Sequence, residues 1–216
     1  MKIGIVGGTG DIGEGIAMRL SPNHDVVIGS REEEKAVESS DVCYATVTKL
    51  GLPCSVSGYS NQDAIDRSDI VILAIPFRHV EPTLASLHGF ENKLVISPVN
   101  PMEKRDFFVY TPPPEGSAAL LIKRLLPQET RLCSAFNTVA ANKWKALNET
   151  LDLAVPVCGD DPLSKATVMD LVRSIPGVKA YDAGPLAVSS MVECLTPLLL
   201  NIARFNKMKD VGVQFR

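Results

Sequence analysis

The sequence predicts an α/β protein whose core is a doubly wound, mostly parallel sheet of about eight strands, followed by a long C-terminal helix. Apolar runs of strand length alternate with stretches long enough for crossover helices along most of the chain. Two of these runs, at 70–75 and 94–97, are apolar without alternation, as expected of strands covered on both faces. We predict strands at 2–6, 25–29, 54–57, 70–75, 94–97, 131–135, 155–159 and 179–182.

The composition is that of a globular protein without nucleic-acid or membrane partners. The 216 residues are 45% hydrophobic and 22% charged, which are ordinary values for a folded domain. A formal net charge of −3 does not favour binding to nucleic acid or to a membrane surface. No basic leader precedes the first strand, and no apolar run reaches the roughly 18 residues of a membrane span. We therefore expect a cytoplasmic protein.

Cysteine and histidine usage gives no indication of a metal site. The five cysteines are an odd number without a C-x-x-C pair, which is typical of free thiols that pack as small hydrophobic side chains. The three histidines do not combine with cysteines or carboxylates at metal-ligand spacing. We predict that the protein binds no metal.

A glycine-rich turn follows the first strand directly. Gly8, Gly10 and Gly13 fit G-x-G-x-x-G, in which the first glycine allows the tight turn and the second lets a pyrophosphate approach the backbone. The third glycine lets the helix pack close to the strand. A helix that begins near Asp11 directs its free N–H groups and its positive dipole end at such phosphates. The turn therefore predicts a Rossmann-type dinucleotide site.

The end of the second strand indicates which dinucleotide binds. An NAD enzyme usually has Asp or Glu here to accept a hydrogen bond from the ribose 2′-hydroxyl. This chain has Ser30 and Arg31 instead, with Lys35 one turn further on. A hydroxyl, a guanidinium and an ammonium bind a 2′-phosphate that a carboxylate would repel, so we predict NADP as the cofactor. The alternative is that Arg31 and Lys35 are solvated residues at a helix start, paired with the carboxylates at 32–34.

The loops at the carboxyl ends of the strands supply further candidate residues, because ligands of such sheets bind there. The loops after the fourth, fifth and sixth strands combine apolar walls and prolines with a few neutral hydrogen-bonding groups, which suits a flat heterocycle. The alternative is that the prolines only terminate strands. The candidates are Ile75, Pro76 and His79 after the fourth strand, Ser97, Pro98, Val99, Asn100 and Pro101 after the fifth, and Asn137 and Thr138 after the sixth.

His79 is the only side chain in these loops whose unperturbed pKa lies near neutrality. One alternative is a general acid; we favour a histidine that caps the next helix or lies beside the nicotinamide ribose as an orienting group. The loops contain neither a nucleophile–histidine grouping nor paired carboxylates. A hydride transfer between two ring cofactors needs none of these, because the cofactors supply the chemistry and the protein supplies orientation. We therefore predict no catalytic side chain.

The last segment predicts a long helix, roughly from Ala187 to Lys209. Its apolar residues recur at i, i+3, i+4 spacing, which indicates a stripe facing the core, and Pro197 is expected to kink the helix. Leu200 lies off the stripe, and this wider apolar surface suggests either a subunit contact or an unusually buried helix. The tail after the helix is expected to close over a ligand. The predicted stripe comprises Val188, Met191, Val192, Leu195, Leu198, Leu199, Ile202 and Phe205.

Six sequence blocks give the chain a resemblance to one family along nearly its whole length. The blocks are GGTGDIGEG at 7–15, IGSR-x3-K at 28–35, SPVNP at 97–101, VPVCGDD at 155–161, DAGPL at 182–186 and ECLTPLLLNIARFN at 193–206. With them, the chain resembles the archaeal F420H2:NADP oxidoreductases, which link an 8-hydroxy-5-deazaflavin coenzyme to NADP. The three C-terminal blocks are the more specific ones, since they are not part of a general dinucleotide motif.

The resemblance implies a methanogen-type oxidoreductase that passes a hydride directly between NADP(H) and coenzyme F420. The sequence around Asn137 departs from a His-containing version in some members of the family. By position, the resemblance implies phosphates on Thr9, Gly10, Asp11 and Ile12, the 2′-phosphate on Ser30, Arg31 and Lys35, the nicotinamide near Ile75 and His79, and the deazaflavin against Ser97, Pro98, Val99, Asn100, Pro101, Asn137 and the tail with Met208.

The resemblance also implies how the chain is organised and assembled. We expect a Rossmann-type NADP-binding domain at 1–183 and a C-terminal helical segment at 184–216 that completes the deazaflavin cleft, or one domain comprising both. A homodimer or homotetramer is expected.

Two other kinds of protein share the N-terminal motifs. One is an NADPH-dependent reductase of another small substrate: a ferric reductase would add transmembrane helices, and an imine or oxo-acid reductase would add a larger helical domain. The other is a non-catalytic NADP-binding sensor, which would lack a second ring site.

Overall fold

The computed structural model of the protein describes residues 1–215, which are built around one large sheet. The strands are β1 (Lys2–Val6), β2 (Asp25–Ser30), β3 (Val56–Ser60), β4 (Ile70–Leu73), β5 (Leu94–Ser97), β6 (Met102–Lys104), β7 (Phe108–Tyr110), β8 (Arg131–Ser134), β9 (Leu153–Gly159) and β10 (Val178–Gly184). The large sheet has the order β10-β9-β8-β5-β4-β1-β2-β3, and β6 pairs with β7 in a separate hairpin.

Helices cover both faces of the sheet. They are α1 (Asp11–Leu20), α2 (Glu33–Thr48), α3 (Asn61–Asp66), α4 (Val80–Ala85), α5 (Ala118–Leu125), α6 (Ala141–Lys145), α7 (Pro162–Arg173), α8 (Ser189–Glu193) and α9 (Leu195–Phe205), with 3-10 turns at Phe77–His79 and Leu186–Val188. One cluster of buried apolar side chains joins α1, α2, α6 and α7 to the sheet, and a second joins α3, α4 and α5 to its other face.

The predicted sheet of eight mostly parallel strands is confirmed. The strand pairs of the large sheet are parallel, except that β8 and β9 run antiparallel. The chain moves outward from β1 to β3 and returns to β4 on the other side of β1, which makes a switch point between β1 and β4. The loops after β1, β2, β4, β5 and β8 therefore meet at one edge, where ligands of doubly wound sheets bind.

Six of the eight predicted strands differ from the structure at one or both ends, mostly by one or two residues, and the third and fourth strands are examples. The third strand spans Val56–Ser60 rather than 54–57, because its residues pair in register with Val26–Ser30 of β2. The fourth strand ends at Leu73, so Ala74 and Ile75 belong to the loop at the carboxyl edge. In both cases strand pairing, which a single segment does not reveal, decides the boundary.

The hairpin of β6 and β7 is absent from the sequence prediction, because its strands have only three residues each. The side chain of Asn201 in α9 forms two hydrogen bonds with the backbone of Phe108. Its Nδ2 donates to the Phe108 carbonyl oxygen and its Oδ1 accepts from the Phe108 N–H, both at 2.8 Å. These two bonds hold the hairpin against the C-terminal helical segment.

The C-terminal helical segment runs from Leu186 to Phe205 as a 3-10 turn followed by α8 and α9, and it ends before the predicted Lys209. The break at Cys194 lies three residues before Pro197, as expected of a residue that lacks an N–H and crowds the preceding turn. By length and composition alone, this segment is apolar enough to cross a membrane, although no membrane span is expected from the sequence.

The prediction that this segment presents a core-facing stripe is wrong for four of its eight positions. Val192 is buried, whereas Met191, Leu198, Ile202 and Phe205 are exposed, with Met191 at 68% and Phe205 at 70%. The apolar periodicity therefore marks a face that the rest of this chain does not cover.

Candidate functional site

Three cavities lie side by side at the carboxyl edge of the sheet. We name them the basic cavity, the central cavity and the tail cavity, and their volumes are about 300, 350 and 250 Å³. The basic and central cavities share Gly10, Ala74, Ile75 and Pro76, and the central and tail cavities share Ala141. The three therefore form one continuous row.

Most of the predicted site residues line this row. The basic cavity contains Thr9, Gly10, Ser30, Arg31, Lys35, Ile75, Pro76 and His79, the central cavity also contains Asp11, Ile12, Pro98, Val99 and Asn100, and the tail cavity contains Asn137 and Thr138. Five predicted residues lie outside the lining: Gly8, Gly13, Ser97, Pro101 and Met208.

The glycine-rich turn has the geometry of an anion site. Its left-handed residue is Gly7, with φ +70°, rather than Gly8, and a Cβ at Gly13 would lie 2.6 Å from the Gly8 Cα. Gly10 precedes α1 without a side-chain cap, and a Cβ there would meet only the Gly7 carbonyl oxygen, at 3.7 Å. The first N–H groups of α1 therefore face open space beside the cavities and fit a phosphate.

The basic cavity brings together the three residues predicted for a 2′-phosphate. Ser30 is buried at the end of β2, and its Oγ accepts from the Glu32 N–H at 3.2 Å. Lys35 is held by Glu32, with 2.7 Å between Nζ and Oε1, and this ammonium lowers the pKa of the Glu32 carboxyl. Arg31 is exposed and forms no ion pair among residues 1–215.

His79 lies in the basic cavity, and the central cavity does not include it. Its Nε2 accepts from the Arg78 Nε at 3.1 Å, which requires this ring nitrogen to be unprotonated. His79 is the N-cap residue of α4, as the first favoured alternative has it, but its side chain forms no capping hydrogen bond. Its position beside a ribose stays a prediction.

The central cavity is mainly apolar. Beyond the predicted residues, its walls include Leu73, Phe77 and Met102, the last from the start of β6. Ser97 is fully buried behind this wall, where its Oγ accepts from the Val99 N–H at 3.4 Å. Such walls suit a flat ring better than a small charged molecule.

The side chain of Asn137 forms its hydrogen bonds with other residues of the protein. Its Nδ2 donates to the Val99 carbonyl oxygen at 3.1 Å and to Asn100 Oδ1 at 3.3 Å, and its Oδ1 accepts from Ser134 Oγ at 3.1 Å. Thr196 Oγ1 donates to the Asn137 carbonyl oxygen at 2.7 Å. Asn137 therefore ties the loops after β5 and β8 to the C-terminal helical segment.

Helix α6, which contributes Ala141 to both apolar cavities, is clamped to α1. The buried Arg19 of α1 donates to the carbonyl oxygens of Lys143, Trp144 and Ala146 at 2.6–3.0 Å, and its burial lowers the pKa of the guanidinium. Lys145 of α6 binds the carboxylates of Asp11 and Glu14, each at 2.8 Å. Helix α1, which follows the glycine-rich turn, therefore also positions α6 in the wall of the central and tail cavities.

The C-terminal tail closes one side of the tail cavity. Asp210 and Val211 line it, and Asp210 Oδ1 accepts from Asn142 Nδ2 at 3.2 Å. The tail is held further on by the Val213 carbonyl oxygen, which accepts from the Ala154 N–H at 2.9 Å. Met208 is 53% exposed outside the lining, so its contact with a ligand stays a prediction.

A glycine turn at the switch point, with basic groups just after the neighbouring strand, places the protein among the Rossmann-type dinucleotide-binding oxidoreductases. Residues 2–101 match the family model for NADP oxidoreductase, coenzyme F420-dependent. The chain is also 35% identical to the F420-dependent NADP reductase of Methanocaldococcus jannaschii over 99% of this chain and 97% of that protein. This chain belongs to the family of F420-dependent NADP reductases.

Two further comparisons agree in family and in fold. The F420-dependent NADP reductase of Methanothermobacter thermautotrophicus is 32% identical over 99% of this chain and 94% of that protein. A crystal structure of a candidate F420-dependent NADP reductase from Arthrobacter sp. FB24 superposes with a TM-score of 0.81 over 100% of this chain and 99% of that one. At 20% identity, this second likeness concerns the fold alone.

Proposed function

We propose that this protein transfers a hydride directly between NADP(H) and coenzyme F420, in either direction. The observation that carries the proposal is the continuous row of basic, central and tail cavities at the carboxyl edge of the sheet. The basic end suits a 2′-phosphate, and the two mainly apolar cavities suit two flat rings placed together. The name of the curated relatives, F420-dependent NADP reductase, states the same two substrates.

On this proposal, NADP lies across the basic and central cavities. The uncapped start of α1 binds the pyrophosphate, and the cations of the basic cavity bind the 2′-phosphate. Gly8 and Gly13 act by close packing rather than by contact with the ligand. The proposed binding residues are Thr9, Gly10, Asp11 and Ile12 for the pyrophosphate, Ser30, Arg31 and Lys35 for the 2′-phosphate, and Ile75, Pro76 and His79 for the nicotinamide riboside.

The second ring is proposed to lie in the central cavity and to extend toward the tail cavity. Pro98, Val99 and Asn100 form its wall on the side of β5, and Thr138 and the tail close the far end. Asn137 holds these walls in register through its five hydrogen bonds, which include one from Asn100 Nδ2 to its carbonyl oxygen. Ser97 and Pro101 support the same loop from behind, and Met208 contacts the ring only if the tail moves inward.

When both cofactors are bound, they supply the hydride donor and acceptor carbons. The residues of this chain hold the two rings at a fixed separation and exclude water from between them. His79 lies on the basic side of the row, so its proposed role is to orient the ribose and not to transfer a proton.

Direct transfer is tested by isotopic labelling. Protein, coenzyme F420 and NADPH deuterated on the transferred face are mixed anaerobically, and the deazaflavin absorbance is followed. The label is expected on the deazaflavin carbon without exchange into solvent. Label found in water would contradict direct transfer, and no reduction of the deazaflavin would contradict the proposed second substrate.

We further infer that the protein is a homodimer or homotetramer in which a second copy covers α9. The exposed Leu198, Ile202 and Phe205 follow at intervals of four and three residues and so form one face of this helix. Burying such side chains is worth about 1.5–3 kcal/mol each. Sedimentation analysis should find a dimer or tetramer for the wild type and a monomer for the Leu198→Glu, Phe205→Glu variant. A monomeric wild type would contradict the inference.

We also propose a cytoplasmic location without membrane or nucleic-acid partners, and a functional division into 1–183 and 184–216. Glu193, inside the apolar C-terminal segment, is bound by the start of α5, which favours packing on this protein over insertion in a bilayer. Purification without detergent in the soluble fraction is the expected result, and recovery only from membranes would contradict it.

A further inference from the structure

Asn61 is a buried amide at the junction of the glycine turn and β2. It is the first residue of α3, is 7% exposed, and follows Ser60, the register partner of Ser30. Its Oδ1 accepts from the Gly7 N–H at 3.0 Å. A Cβ at Gly29 would lie 2.9 Å from this oxygen, so the glycine leaves room for the amide beside β2.

The other end of this amide has no partner in the protein. Among residues 1–215, no group accepts a hydrogen bond from Asn61 Nδ2, while Asn61 itself lines the basic cavity. Since Nδ2 is not among the buried atoms without a partner, it is accessible from the basic cavity, where a ligand oxygen can take the place of water as its acceptor.

We propose that Asn61 is a binding residue for the adenosine ribose of NADP(H). The ribose connects the 5′-pyrophosphate at the glycine turn with the 2′-phosphate at Ser30 and Arg31, and Asn61 lies between these two places. Nδ2 donates to a ribose oxygen, while Oδ1 fixes the turn at Gly7. The inference rests on the proposed placement of the adenosine half in the basic cavity.

This role differs from that of the cations in the same cavity. The ribose is common to NADP and NAD, so loss of the Asn61 donor weakens both. Loss of Arg31 weakens only the ligand that carries the 2′-phosphate. Asn61 therefore contributes affinity for the nucleoside, and Arg31 contributes discrimination.

The Asn61→Asp variant separates the two ends of the side chain, because it keeps an oxygen for the Gly7 N–H and loses the donor. Calorimetric titration with 2′,5′-ADP and with 5′-AMP should show Kd values raised about tenfold for both ligands. The Gly7 amide resonance should keep its wild-type protection from exchange. If the variant binds both ligands like the wild type, Asn61 only supports the turn and the proposal is wrong.

Two controls make the result specific. Thr83→Asp adds the same charge to the wall of the basic cavity and keeps the Asn61 amide, and it should leave the binding of uncharged adenosine unchanged, whereas Asn61→Asp should weaken it. Unchanged adenosine binding in Asn61→Asp would overturn the proposal. If Arg31→Ala leaves 2′,5′-ADP binding unchanged, the placement of the adenosine half fails, independently of the result at Asn61.

Discussion

The cations of the basic cavity are held differently before a ligand binds. Lys35 is paired with Glu32, and both side chains are more than half exposed, whereas Arg31 has no such partner among residues 1–215. An exposed pair of this kind is weak and easily exchanged for a stronger one with a phosphate. On the proposed placement of NADP, Arg31 is therefore free to bind the 2′-phosphate, and Lys35 must first leave Glu32.

Changing Arg31 to Ala should weaken NADPH binding by about 1.5–3 kcal/mol, the range for hydrogen bonds to charged groups, and leave NADH nearly unaffected. Fluorescence titration with NADPH and with NADH measures the two affinities. Equal losses for NADPH and NADH would show that Arg31 does not contact the 2′-phosphate.

Changing Glu32 to Gln should strengthen NADPH binding, because it frees Lys35 and removes a carboxylate from the wall of the basic cavity. We expect a Kd lower by about threefold at low salt, with less gain at high salt. Glu34→Gln is the matched control, since Glu34 is exposed on the same helix outside the cavity lining. A weaker NADPH complex in the Glu32 variant would contradict this view of the pair.

What the sequence reveals at this scale depends on distance along the chain. Ser30, Arg31 and Lys35 are predictable because they are contiguous with the strand that carries them. Asn61 is not, because its partner Gly7 is 54 residues away and nothing local marks the amide. Asn137 is predicted as a ligand group, yet its hydrogen bonds run to Val99 and Asn100, which only the folded chain brings near.

At the scale of elements, a buried carboxylate joins the C-terminal segment to the rest of the fold. Glu193 of α8 is fully buried and accepts from the N–H groups of Ala118 and Ala119, at 2.8 and 3.0 Å, at the start of α5. Burial raises the pKa of this carboxyl to about 7, against the opposing effect of these N–H groups and of Tyr110. When it is ionised, the Glu193 carboxylate caps the N-terminus of α5 without a cation in direct contact with it.

The raised pKa of Glu193 gives stability a defined pH dependence. The folded state holds its proton more tightly than the unfolded chain, so this contribution is complete below about pH 4.5 and is lost as pH rises to about 7. Urea unfolding of the wild type should show a fall of at most about 3 kcal/mol across this window. The Glu193→Gln variant, which cannot titrate, should lack this component. Identical pH profiles for the two proteins would exclude Glu193 as its source.

Elements differ in how well their sequence predicts them. Most strands of the large sheet are predictable because they are buried, mainly apolar runs, whereas β3 and β10 are only partly buried. The antiparallel direction of β9 is not predictable in this way, since it depends on how the chain connects β8 to β9 and not on the residues of the strand. The stripe on α9 is correctly periodic but wrongly assigned to the core, because periodicity identifies an apolar face and not what covers it.

For the molecule as a whole, the two halves of the site come from different parts of the chain. The basic cavity is lined by residues between Gly7 and Thr83, and the tail cavity by residues between Asn137 and Val211. Most of the residues predicted from the N-terminal motifs line the basic cavity. The second half of the site depends on long-range packing of α6, α9 and the tail, and its details were beyond sequence reasoning.

Removal of the residues after Asn206 should therefore affect the two substrates unequally. Asp210 and Val211 would be lost from the tail cavity, and the KM for coenzyme F420 should rise about tenfold or more if one or two ligand contacts go. NADPH binding should stay within about twofold of the wild type, because the basic cavity has no tail residue. If the use of coenzyme F420 and the binding of NADPH are lost together, the tail is needed for folding.

The separation of the two cavities along the chain has a consequence for biogenesis. Thr83 leaves the ribosome 128 residues before Val211, which at about 5–20 residues per second is roughly 6–26 s. The hairpin meanwhile lacks Asn201, the residue that anchors Phe108. On the proposed placement of the two substrates, a nascent chain thus has the residues for the nucleotide well before it has those for the second ring, and the site forms in the order in which it is translated.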